Sequence, residues 1–303
     1  MQTNTIRPTL TTVSPVWPAL LAVALFSATA PFTSIALEQM SPLLITAIRS
    51  LIAGFLAALC IRAAGWPLPP KKLWPALLFT SLTVAVGFPY LLALSLQYQT
   101  TARVGVWLAG LPLLTAVFAV TLFRERVKAV FWLWAGVALI LLLTVQSGRS
   151  GIHQPLMGSS AGAALAGTLI CGAATCSTGA VVARHIGGWQ TICWAMAISL
   201  PLSATLFGYA WGEQTHPAGG YQTDVLLTLL YLALISQWLG FRFWYSALSQ
   251  GTAELAQVQL LQPLLTLLLA VWLLHETVPG HLWGLALLVI LAVVMALRTR
   301  SPG

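Results

Sequence analysis

Ten stretches of about twenty apolar residues follow one another along this 303-residue chain, and no other feature limits its fold so sharply. A helix needs roughly 20 apolar residues to cross the hydrocarbon core of a bilayer, with about 17 to 25 tolerated. The runs are Trp17–Leu37, Leu43–Ile61, Leu73–Leu96, Ala102–Phe123 and Ala129–Val145, then Gly158–Ala183, Thr191–Trp211, Val225–Leu248, Ala253–Leu274 and Pro279–Leu297. They are continuous rather than alternating, which predicts helices and not barrel strands, because a chain in lipid must satisfy its own backbone hydrogen bonds. Only 7% of the residues are charged, against about 25% in a soluble domain. The expected fold class is an all-α integral membrane protein of ten transmembrane helices, with the lipid bilayer as solvent.

The fourteen Lys and Arg give a net charge of +8, yet they form no patch that nucleic acid would need. They sit in the gaps between runs. With a cytoplasmic N-terminus, the cytoplasmic segments hold Arg7, Arg62, Lys71, Lys72, Arg124, Arg126, Lys128, Arg184, Arg298 and Arg300, and the opposite face holds Arg103 and Arg149. By the positive-inside rule both termini are cytoplasmic, in a bacterial inner membrane. The polar segment 1–16 precedes a run without a small-residue cleavage site, so Trp17–Leu37 reads as a first membrane helix and not a removable signal. The cysteines Cys60, Cys171, Cys176 and Cys193 all fall inside apolar runs, without the close Cys or His partners of a zinc site. No metal or cofactor is expected.

The halves of the chain repeat. At an offset of 151 residues, from Pro112 to Pro263, Pro112-Leu113-Leu114-Thr115 falls on Pro263-Leu264-Leu265-Thr266. In the same register Thr101-Ala102 falls on Thr252-Ala253 and Glu125 on Glu276. The expected organisation is a cytoplasmic segment 1–16, a first repeat 17–146, a loop 147–157, a second repeat 158–297 and a tail 298–303. Five helices per repeat is an odd number, so the second repeat enters the membrane from the opposite side. Inverted repeats are the architecture of many secondary transporters, with the substrate near the midplane between the halves.

Pro42-Leu43-Leu44 followed by Arg49 and Ala53, together with the segments Pro112 to Glu125 and Pro263 to Glu276, resembles the EamA-type transporters of the drug/metabolite superfamily. The resemblance covers about residues 17 to 297. It implies ten helices in two five-helix repeats, a central cavity lined from both repeats, and export of amino acids or other small metabolites.

Charged and amide side chains inside the spans mark candidate site residues, since each charge costs roughly 3 kcal/mol there. Arg49, about seven residues into its run, either grips a substrate carboxylate or phosphate with its planar donors or is a structural arginine beside a neighbour such as Glu38. Arg242 and Glu254 face one another across the short connection 249–252 and read either as a gate or as a snorkelling arginine and a first-turn acid. Arg103 matches Glu254 in the repeat, so both belong to the gate or coupling set. Gln259 and Gln262 share a helical face and are expected to line a wet cavity. Trp238, Arg242 and Tyr245 form one stripe with Gln237 and Phe241 alongside, and Trp107 accompanies Arg103; arginine beside aromatic rings suits a ligand with a carboxylate and an apolar body. Glu125 and Glu276 read as fold elements that bond the start of the next helix. Matched bends at Pro112 and Pro263 are either hinges or static kinks.

These residues point to a secondary transporter exporting a small metabolite, amino acids first, by alternating access, with a proton as a further partner if Glu254 couples. An exporter of drugs or toxic cations would want a deep acidic residue, which Glu254 supplies only at shallow depth. A membrane-embedded lipid-modifying enzyme would need clustered His, Asp or Ser, and no such cluster is visible, so no enzyme is expected. No phosphate-binding loop for ATP is present.

Overall fold

The computed structural model of the chain describes residues 16–123, 128–147, 160–249 and 258–299. Among these, every regular element is helical. In chain order they are α1 (Val16–Leu37), α2 (Pro42–Ala64) and α3 (Lys71–Tyr98), α4 (Thr101–Leu108, resuming as Leu111–Phe123) and α5 (Ala129–Ser147). The second repeat supplies α6 (Ser160–Ile186), α7 (Gly188–Glu213), α8 (Thr223–Leu248), α9 (Leu261–Leu274) and α10 (Gly280–Thr299). Among the described residues seven helices, α1 to α4 and α6 to α8, are long and apolar enough to cross a membrane, and α5, α9 and α10 carry shorter apolar stretches. The chain is a multi-pass helical membrane protein. The start of the ninth expected run, residues 253–257, lies outside the described residues, as do Glu125 and Glu254.

Local sequence sets the helix ends. Ser41 caps α2 by accepting from the Leu44 N–H at 3.3 Å, Pro42 sits in the first turn where its missing N–H is harmless, and Gly65 closes the helix at φ 64°. Helix packing follows the repeat. Helix α2 lies against α7, α4 against α9 and α5 against α10, so each joins its own counterpart; α1 packs on α8 as α6 packs on α3. The α2–α7 contact is close because Gly54 has no side chain: a Cβ there would stand 2.8 Å from the Met196 carbonyl oxygen. At Gly179 of α6 the Tyr245 ring occupies the space a Cβ would take. Small residues let helices approach where lipid offers no hydrophobic drive between them.

Both repeats depart from α geometry at matched places. Thr83–Gly87 of α3 and Tyr231–Gly240 of α8 are π-helical, and under the repeat offset 83–87 falls on 234–238, inside the second segment. In α3 the cause is Pro89, which has no N–H to offer the Ala85 carbonyl and crowds it. The freed carbonyl accepts a short hydrogen bond from the Ser50 hydroxyl of α2. Helix α4 breaks at Ala109–Gly110 and the chain entering α9 turns at Gln259–Leu260, in each case just ahead of the matched prolines Pro112 and Pro263. Helical structure is interrupted ahead of the proline in both repeats.

Candidate functional site

A narrow cavity lies in the middle of the bundle, bordered by α1, α2, α3, α4, α6, α8 and the chain entering α9. Its polar lining is Thr29, Arg49, Thr175, Ser236, Gln259 and Gln262, and its aromatic wall is Phe26, Phe88, Phe241 and Trp244. The free space is about 40 Å³, room for only a few waters at roughly 10–15 Å³ each.

Arg49 is 2% exposed. Its Nη2 donates to Ser236 Oγ over a long 3.4 Å, and its Nε has no hydrogen-bond partner. Ser236 Oγ is shared with Thr29 Oγ1 at 2.8 Å. No carboxylate among the described residues pairs with the guanidinium, and Glu38 is exposed at the end of α1. A buried cation without a counter-charge is expensive, so its local chemistry is that of an anion receptor.

The matched proline breaks supply the other polar groups. Leu108 and Leu111 of the first repeat line the cavity, and so do Gln259 and Gln262, their equivalents at the 151-residue offset. The same backbone device therefore presents apolar side chains from one repeat and amides from the other.

The remaining candidates lie elsewhere. Gln237 is fully buried behind the cavity, where its Nε2 donates to Ser50 Oγ at 2.8 Å and its Oε1 has no partner. With the Ser50–Ala85 bond, this makes a brace from one π-helical segment through α2 to the other. Trp238 packs on Trp189 with ring centroids 4.8 Å apart. Arg242 is exposed, its guanidinium carbon 4.7 Å from the centre of the same Trp189 ring. Tyr245 is buried and donates its hydroxyl to the Thr175 carbonyl at 3.2 Å, tying α8 to α6. Trp107 is buried in the helix contacts, its Nε1 unpartnered. Arg103 is half-buried, reaching Gln99 Oε1 at 3.4 Å. Glu254 lies outside the described residues, and with it the expected pairing to Arg242.

Of the expected set, the structure thus brings together Arg49, Gln259 and Gln262. The α8 stripe misses because π-helical turns hold an extra residue and turn the downstream face, presenting Ser236, Phe241 and Trp244 in place of Gln237, Trp238 and Tyr245. Trp244 donates to Cys176 Sγ at 3.4 Å, and Phe241 packs at a tilt on Phe26, ring centroids 4.9 Å apart. Phe241 was legible beside the stripe, whereas no signal in the sequence separates Phe26 and Trp244 from the many other aromatics.

At one end of the bundle, hydrogen bonds join the two repeats. Gln214 Oε1 accepts from the Ser41 N–H at 2.9 Å, Gln214 Nε2 donates to the Gln39 carbonyl at 3.2 Å, and Gln39 Oε1 accepts from the Gln222 N–H at 2.9 Å. Glu276 accepts from the Thr101 and Ala102 N–H groups at 2.9 and 3.0 Å, so it caps the start of α4 and not the helix that follows it. A carboxylate there also meets the positive end of the helix dipole.

Comparison with known proteins fits this architecture. The model of the EamA-like transporter family matches residues 14–145 and again 159–298. The chain is 37% identical over 279 residues, 92% of its length and 95% of the relative's, to the "Uncharacterized transporter YdeK" of Bacillus subtilis (strain 168). It is 23% identical, over 89% of its length and 87% of the relative's, to the "Uncharacterized transporter YvbV" of the same organism. A solved crystal structure superposes with a TM-score of 0.64 at 19% identity, over 93% of this chain and 98% of the other, a likeness of fold.

Proposed function

Because the chain belongs to the EamA-like transporter family, we propose that it is a secondary transporter exporting small zwitterionic metabolites, amino acids first, across the bacterial inner membrane. The observation that carries this reading is Arg49, a buried cation that lines the central cavity with no carboxylate partner among the described residues. A substrate carboxylate supplies the missing counter-charge and a bidentate match to the guanidinium. The amide oxygens of Gln259 and Gln262 accept from the substrate ammonium, and the rings of Phe26, Phe88, Phe241 and Trp244 receive its apolar side chain. Neutral amides suit a zwitterion better than a bare cation, which would call for a buried acid.

The same reading takes the molecule as ten membrane helices in two inverted five-helix repeats, with both termini cytoplasmic. The cavity is too small for a metabolite as it stands, so the helices part to admit one. The paired π-helical segments and proline breaks border the cavity in both repeats and are the places where alternating access bends the chain.

The test is export from bacteria fed dipeptides as an internal amino-acid source, with the medium profiled over time. Cells carrying the intact protein release one or a few amino acids faster than cells without it, and Arg49→Ala abolishes the difference at equal membrane levels. Identical profiles with the protein present in the membrane would overturn the amino-acid assignment and move the screen to sugars, nucleosides and cationic drugs.

A further inference from the structure

A second cleft, of about 270 Å³, lies at the bundle end that carries Ser41 and Glu213. Helix α7 packs on Trp74–Gly87 of α3 and diverges from Phe88–Tyr98, while α2 fills in beneath. The wedge between α3 and α7 is the cleft. Tyr90, Leu94 and Gln97 form its α3 wall. At about 100° per residue they lie on the opposite side of α3 from Phe88, Pro89 and Leu92, which line the central cavity. The cleft is thus a separate site, and its chemistry stands whether or not the transport reading does.

That chemistry is specific. The phenol groups of Tyr90 and Tyr209, the Gln97 amide and the Glu213 carboxylate all border the cleft, and none makes a hydrogen bond or ion pair within the described residues. Glu213 is the last residue of α7, where a carboxylate opposes the negative end of the helix dipole. Glu213, Tyr209 and Gln97 are exposed, so the carboxylate is open to an incoming cation and no protein base among the described residues competes for it. Two tyrosine rings beside one carboxylate are a receptor for an organic ammonium, held by charge and by the ring faces together, rather than for a metal ion, which would want several oxygen ligands. The apolar lining of Pro42, Leu43 and Ala210 takes the methylenes next to the nitrogen.

We infer that this cleft binds a primary ammonium group on a short alkyl arm, carried either by an amine-bearing phospholipid headgroup or by a free amine. Occupancy places a ligand beside the Ser41–Gln214 hydrogen bond, so it also braces the contact between α2 and α7.

Binding to the purified full chain in detergent, read by native mass spectrometry, tests this with three probes: phosphatidylethanolamine, phosphatidylglycerol and the soluble headgroup glycerophosphoethanolamine. The intact protein is expected to prefer phosphatidylethanolamine to phosphatidylglycerol roughly tenfold. Glu213→Gln and Tyr209→Leu each lose the preference, while Glu38→Gln, which removes an exposed acid at the same bundle end but outside the cleft lining, retains it. Competition by the soluble headgroup identifies the amine-bearing headgroup without acyl chains as sufficient; no competition identifies the intact lipid as the source. Folding of Glu213→Gln is checked by its melting point without ligand, expected at or slightly above that of the intact protein because an acid at a helix C-terminus is gone. Equal binding of the two lipids, or a preference that survives in Glu213→Gln, would overturn the assignment.

Discussion

Arg49 is held by fewer bonds than its charge calls for: one long hydrogen bond to Ser236 Oγ and an unpartnered Nε in a nearly dry setting. Its proposed role rests on geometry as well as charge, so Arg49→Lys, which keeps the charge and loses the planar fork, is expected to raise the KM for transport about tenfold with membrane levels unchanged. Substituting Gln259→Leu and Gln262→Leu gives the second repeat the apolar side chains that Leu108 and Leu111 give the first. Each change removes an acceptor for a charged group, an interaction of about 1.5–3 kcal/mol, and uptake or efflux assays should show KM rising more than tenfold with little change in protein stability. These three residues were legible in the sequence because a charge or an amide in a span demands a reason. Phe26 and Trp244 were not, because among thirteen tryptophans and eleven phenylalanines a cavity ring has the same letter as an interface anchor.

Among the helices, hydrophobic run length located the segments well, and the paired prolines follow directly on the helix interruptions at 109–110 and 259–260. The π-helical segments leave no mark in a 3.6-residue periodicity, and their extra residue turns the α8 stripe away from the cavity. The brace from Gln237 through Ser50 to the Ala85 carbonyl couples the two segments. Ser50→Ala leaves Ala85 without the partner Pro89 denies it and strips Gln237 of its one oxygen acceptor, at a cost of about 1–3 kcal/mol for each buried group. Its apparent melting temperature in detergent should fall by several degrees, and adding Gln237→Leu should lower it further by less than that change does alone, because both act on one network. Glu276→Ala removes the cap on α4, about 1 kcal/mol, with a correspondingly smaller loss in the same melting assay. Gln39 and Gln214 gave no sequence signal, as loop glutamines have no fixed partner spacing.

For the molecule as a whole, the internal repeat carried most of the fold: the helix pairings of the structure are those in which each helix meets its counterpart or exchanges with its neighbour's. What the repeat cannot specify is where the halves differ, and the cavity owes its polarity to those differences, with Arg49 contributed by α2 and the amides by the entry to α9. Reporter fusions are expected to place both termini in the cytoplasm, in keeping with the basic residues; a C-terminus outside would refute the inverted ten-helix arrangement. The decisive measurement is amino-acid flux through purified protein reconstituted into liposomes, comparing the intact chain with Arg49→Ala and with Arg242→Ala. Flux that is lost with Arg49→Ala and kept with Arg242→Ala, whose side chain is exposed against Trp189, is the expected result, and Arg49→Ala transporting at the intact rate would contradict the assignment of Arg49 as the substrate-binding cation.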